Sequence, residues 1–103
     1  MKTAITSNGN TMDSNIDQRF GRCAYFAVYD SETRKVEFIE NPNKNAVEGA
    51  GPASVSLVAN QGVKKIISGE FGFKIKNMLN DLGIQMVIVK ETRTIEEIIA
   101  LLK

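Results

Sequence analysis

Histidine and tryptophan are absent from this chain, and cysteine occurs once. Without histidine the commonest neutral-pH general base and the commonest metal ligand are both missing. A single cysteine makes no internal disulfide, which fits a reducing cytosol. Nor can one thiol hold a structural zinc or an iron–sulfur cluster within one chain, since those sites need about four ligands. No apolar run approaches the ~20 residues that span a bilayer, and Met1–Thr6 lacks the apolar core of a signal peptide. An excess of either charge is missing too. Thirteen basic and twelve acidic side chains leave a formal charge of +1, unlike a dedicated nucleic-acid binder. The sequence contains 103 residues, 43% of them hydrophobic, enough for one domain with a core of its own, residues 1–103.

The apolar pattern alternates between strand and helix. Thr3–Thr6 is a short strand ending in the turn Ser7-Asn8-Gly9-Asn10. Residues 9–22 show no period, and a loop of that length in a compact domain is functional or mobile. Ala24–Tyr29 and Val36–Ile39 make a hairpin around the turn formers Asp30–Arg34. After a second loop over residues 42–50, Pro52 suits the first turn of a helix that runs to about Asn60. Val63–Ser68 is a strand. Ile75, Met78, Leu79 and Leu82 form a helical stripe stopped by Gly83. Ile84–Val89 is nearly all apolar, as in a strand covered on both faces. Thr94-Ile95-Glu96-Glu97 reads as a capping box, and Ile95, Ile98, Ile99 and Leu102 stripe a last helix. The order βββαβαβ plus a C-terminal helix predicts an α/β fold. Its sheet should be five-stranded and mixed, with helices on both faces and the last two strands parallel.

The segment Asp17–Phe26 concentrates the chemistry: Arg19, Gly21, Arg22 and Cys23 stand just before a strand. On one reading the arginines clamp an anion, Gly21 admits its close approach, and Cys23 supplies sulfur. On the other, Arg19 pairs with Asp17, Gly21 makes a turn and Cys23 is a small buried hydrophobe. Gly49 and Gly51 precede a helix whose free N–H groups favour anions, but Ser54 stands where a third glycine of a dinucleotide fingerprint would fall. Gly69–Gly72 sits at a strand-to-helix junction, where α/β proteins place ligands, and no phosphate-loop lysine follows it. Asp13, Asp17, Asp30, Glu48 and Glu70 are scattered. The serines at 7, 54, 56 and 68 lack a histidine to activate them. Both facts speak against an enzyme.

Taken in order, several short features carry a resemblance. They are Ser7-Asn8-Gly9, Phe20-Gly21-Arg22 followed by Tyr25-Phe26, Asp30, Asn41-Pro42, Gly49-Ala50-Gly51, Gly62-Val63 before Ile66-Ile67-Ser68-Gly69, Gly72 and Leu82-Gly83-Ile84. The set is similar to the dinitrogenase iron–molybdenum cofactor biosynthesis family. That resemblance implies a ribonuclease-H-like fold, and a ligand near the loops at 20–23, 49–51 and 69–72. It also implies a nitrogenase accessory or carrier role. Two departures stand out. Histidine ligation is excluded, and the helix after Gly69 begins Phe71-Gly72-Phe73-Lys74 where the family often has Gly-Pro. Nuclease chemistry is disfavoured, since Lys2–Asn8 has no carboxylate for Mg²⁺.

The expectation is a cytoplasmic carrier or chaperone for an anionic iron–sulfur or molybdenum-containing cluster, meeting cluster-assembly proteins but neither nucleic acid nor membrane. Arg19 and Arg22 would neutralise charge, Gly49, Gly51 and Gly69 would present N–H groups, Gly21 would admit the ligand, and Cys23 would be an optional ligand. The alternative is a regulatory or adaptor domain acting through protein contacts, for which Phe71 and Phe73 are candidate surface anchors.

Overall fold

A computed structural model describes residues 1–103. The chain runs β1 (Lys2–Ser7), β2 (Tyr25–Asp30), β3 (Val36–Glu40), α1 (Ala50–Asn60), β4 (Val63–Ser68), α2 (Phe73–Asp81), β5 (Gln85–Ile88) and α3 (Ile95–Leu102). The five strands form one mixed sheet in the order β3-β2-β1-β4-β5. β1 lies at its centre, antiparallel to β2 and parallel to β4, with Ile5 facing Ala27 on one side and Ile67 on the other. β2 and β3 pair antiparallel as the hairpin, and β4 and β5 pair parallel.

Side-chain alternation splits the interior into two layers. Ala4, Phe26, Val28 and Ile66 face α1 and α2, meeting Val55, Val58, Ile75 and Leu79. The next residue along each strand, Ile5, Ala27 and Ile67, faces the other way toward Ile95, Ile98 and Ile99 of α3. Two helices therefore cover one face. The other has α3 together with Met12 and Ile16 of the long loop.

Two sequence readings change. α1 begins at Ala50 rather than Pro52, and Pro52 lies within its first turn, where no backbone donor is needed. β5 is an edge strand, and it is not covered on both faces: only Ile84 just before it is buried, and Ile88 is half exposed. Apolar content alone does not tell an uncovered edge from a buried strand. None of the helices is long and apolar enough to cross a membrane.

Topology brings the loops together. β1 and β4 are parallel, and β3, antiparallel to an antiparallel neighbour, runs the same way. Hence the loop after β1, the loop from β3 into α1 and the turn from β4 into α2 all emerge at one edge of the sheet. This is the C-terminal edge where α/β proteins bind ligands.

Candidate functional site

The long loop after β1 is fastened to that edge by buried polar groups. Thr6 is fully buried; its hydroxyl donates to the Asp17 carbonyl at 2.6 Å and lies 3.1 Å from the Ser68 hydroxyl. The Asp17 N–H returns to the Thr6 carbonyl at 2.9 Å. Phe20 is 3% exposed and packs between Phe26 and Phe71 in tilted ring contacts, with both ring centroids 5.7 Å away. Next comes Gly21, whose carbonyl accepts from Asn41 Nδ2 and Ser54 Oγ, each at 3.1 Å. This carbonyl clamp draws the loop against α1 so closely that a Cβ on Gly21 would sit 3.0 Å from the Cα and N of Gly51.

A groove of about 420 Å³ opens there, lined by Arg19, Phe20, Gly21 and Arg22 from the loop, Gly49, Ala50 and Gly51 from α1, and Glu70, Gly72 and Ile75 around the start of α2. Two helix N-termini thus meet at one place, and neither has a side-chain cap. The N–H groups of Ala50 and Gly51, and those of Phe73, Lys74 and Ile75, find no acceptor within the chain. Gly49 supplies the left-handed turn (φ 76) that starts α1. α3 is the opposite case. Thr94 and Glu97 form a full capping box, and the carbonyls of Ser14 and Met12 take the N–H groups of Ile95 and Glu96. The same sheet edge therefore carries one closed helix start and two open ones.

The arginines are held differently. Arg22 donates through Nη1 to the Ala46 carbonyl at 2.6 Å, with Lys44 at 3.4 Å, and so ties down the loop entering α1. Arg19 sits 3.4 Å from Asp17 Oδ1 with its side chain 56% exposed. Asp17 is largely buried, but the guanidinium end stands in solvent and the contact is long, which leaves Arg19 free to turn toward the groove. Glu70 is brought beside Arg19 by a short backbone bridge and adds one carboxylate to the rim.

Five of the seven residues singled out from sequence, Arg19, Gly21, Arg22, Gly49 and Gly51, line this groove; Cys23 and Gly69 do not. Cys23 is fully buried, its thiol 3.4 Å from the Phe20 carbonyl. Burial first, then the charge of Asp17, pushes that thiol up to about 12. A group held as neutral thiol inside the core is poorly suited to ligate a metal in the groove. Gly69 is a point of close approach: a Cβ there would fall 2.5 Å from Gln18 Cα. Phe71 and Phe73 also part company, Phe71 packing in the core at 6% exposure and Phe73 standing 81% exposed. Thr6, Asn41 and Ser54 hold the loop, a role that no local sequence pattern assigns them. Asn41-Pro42 did recur in the resemblance, but nothing in the sequence aims Ser54 at a carbonyl 33 positions away.

These features define an α/β protein with a five-stranded mixed sheet and a groove of N–H donors and arginines at the C-terminal edge of that sheet. The chain belongs to the dinitrogenase iron-molybdenum cofactor family, whose pattern matches residues 1–103. An uncharacterized protein of Methanocaldococcus jannaschii is 36% identical over 104 residues, covering 98% of this chain and 84% of the relative. The apo form of the orange protein from Desulfovibrio gigas superposes with a TM-score of 0.91 at 28% identity, over 98% of this chain and 85% of that one. A NifB-like protein from Thermotoga gives a TM-score of 0.84 at 31% identity, over 98% and 85% of the two chains.

Proposed function

We propose that this protein carries an anionic iron–sulfur or molybdenum-containing cluster as cargo, holding it from outside rather than through covalent ligands. The observation that carries this reading is the meeting of two uncapped helix N-termini with Arg19 and Arg22 in one groove. Each N-terminus favours a nearby anion by about 0.3–1 kcal/mol when exposed and up to ~2 kcal/mol when partly buried. Charge-assisted hydrogen bonds from arginine add about 1.5–3 kcal/mol each. The donor set consists of N–H groups, and the one thiol lies in the core. It suits the sulfide or oxide surface of a preformed cluster and does not suit capture of a bare metal ion. Membership of the cofactor family and likeness to a protein described in an apo form support the same reading.

Under this proposal residues 1–103 act as one cytoplasmic domain that delivers or shelters the cluster without catalysis. Its partners are the proteins that build or receive the cluster. We place the sheet in the ribonuclease-H-like class, a fold that hosts many functions. Anaerobic incubation with preformed tetrathiomolybdate, and with the iron–molybdenum–sulfide clusters assembled from it beforehand, followed by desalting, absorbance and metal analysis, tests the carrier role. A stoichiometric coloured complex in the wild type, weakened about tenfold or more by Arg19→Ala or Arg22→Ala, is the expected result. Absence of retained metal in every variant would contradict it.

A further inference from the structure

The largest cavity of the molecule lies away from the cluster groove, on the face of the sheet that α3 covers. It has a volume of about 560 Å³ and runs between α3 and the β4–β5 side of the sheet. Its floor is Ile67, Val87 and Val89, and Leu101 of α3 forms one wall. Leu101 is 73% exposed although it stands on the one helix of that face. The coverage is uneven for a simple reason. α3 and the loop residues Met12 and Ile16 pack on β1, β2 and β4, whereas Val87 and Val89 remain only partly buried. On the opposite face two helices share the work. The uncovered strip is where a second helix of a three-layer domain would lie.

We infer that this strip is a docking site for an acidic amphipathic helix of a partner protein. The charge around it decides the occupant. Lys65 and Lys90 stand at the rim, and neither is in an ion pair; Arg93 there is neutralised by Glu91 at 3.1 Å. An apolar floor between two unpaired cations fits a helix with large aliphatic side chains on one face and carboxylates beside them. A second copy of this chain fits poorly. Its own strip offers the same two unpaired lysines, and the lining's one carboxylate, Glu91, is already paired with Arg93, so a strip-on-strip dimer would set positive against positive. A membrane surface fits poorly as well. The apolar residues line a recess instead of protruding, and two free lysines are few for attraction to anionic lipid. The helix packs on the sheet face, so β5's open edge is not the contact.

The test uses two synthetic helical peptides with the same leucine face, one flanked by glutamates and one by lysines, titrated into the ¹⁵N-labelled full chain. The acidic peptide should bind saturably, with shifts centred on Val87, Val89 and Leu101 and the 19–22 loop unmoved. The double variant Lys65→Glu/Lys90→Glu should lose about tenfold in affinity for the acidic peptide and gain for the basic one. Leu101→Ala, which removes apolar surface at an exposed position without changing the charge, should weaken the acidic peptide. Equal binding of both peptides, shifts elsewhere, or no binding at millimolar peptide would overturn the proposal. So would self-association through the same residues in sedimentation, or binding of the strip to anionic vesicles with no peptide preference. Loss of cluster binding leaves this result untouched, because the two sites share no lining residue.

Discussion

Replacing Gly21 with alanine tests the link between the carbonyl clamp and the groove. The new Cβ would lie 3.0 Å from Gly51 Cα and N and 3.3 Å from Ala50 C. All three are backbone atoms at the start of α1, so no rotamer change relieves the contact. The loop must lift, stretching the bonds from Asn41 and Ser54 to the Gly21 carbonyl. Overpacking of this kind costs about 1–3 kcal/mol. For a domain of this size each kcal/mol lowers Tm by roughly 4–8 °C. Gly51→Ala is the control. Its Cβ would meet Ile75 Cδ1 at 2.6 Å and Cγ1 at 3.1 Å, both side-chain atoms, and the side chain can turn aside where backbone cannot. That rotation costs about 0.5–1.5 kcal/mol, and alanine recovers up to ~1 kcal/mol of helix propensity over glycine. Urea denaturation of the three proteins should therefore rank Gly51→Ala near wild type and Gly21→Ala clearly below. A Gly21→Ala protein within about 0.5 kcal/mol of wild type would refute the close-approach argument, as would a Gly51→Ala protein less stable than Gly21→Ala.

Phe71→Ala should cost about 3–5 kcal/mol in urea denaturation, whereas Phe73→Ala, at an 81% exposed position, should fall within about 0.5 kcal/mol of wild type; similar costs would be incompatible with the packing described. Cys23, raised to about 12, holds roughly one thiolate in ten thousand at pH 8, so iodoacetamide should label it only as fast as the protein opens. Rapid labelling of the native protein followed by mass spectrometry would place that thiol outside the core. Bonds from the Thr94 N–H and hydroxyl hold Glu97 below its usual value. A depressed carboxylate stabilises the fold above the unfolded value near ~4.3, and that contribution is lost as pH falls through the folded value. Glu97→Ala should thus be less stable than wild type at neutral pH, with the gap in thermal melts narrowing in acid; a gap independent of pH would count against the cap.

Local pattern and punctuation made much of this fold legible. The stripe Ile75, Met78, Leu79 and the box Thr94–Glu97 each specify a helix through neighbours within one or two turns, and α2 and α3 lie there, whereas Leu82 falls at the C-cap of α2 and stands 52% exposed. The residues 84–89 misled because apolar content reports affinity for burial, and burial also depends on where in the sheet a strand falls. Arg19, Gly21, Arg22, Gly49 and Gly51, picked out by glycine and charge next to element ends, come together along one groove. The place of Cys23 was not legible, because the loop before β2 has no alternation to say which way its side chain points. Ser54 and Thr6 reach partners through the tertiary fold alone, at separations of 33 and 11 residues. Gly69 looked like a ligand turn, yet its need for glycine comes from Gln18 crossing above it.

The most direct test of the carrier reading is an anaerobic titration of tetrathiomolybdate into ¹⁵N-labelled protein, followed amide by amide. The amides of Ala50, Gly51, Phe73 and Lys74, which have no acceptor in the chain, should shift together and saturate together. Those of Ile95, Glu96 and Glu97, already satisfied, should stay still. Arg19→Ala should weaken the response without moving its location. Shifts spread without regard to the two open helix starts, or no shift at any concentration, would contradict the claim that this groove holds an anionic cluster.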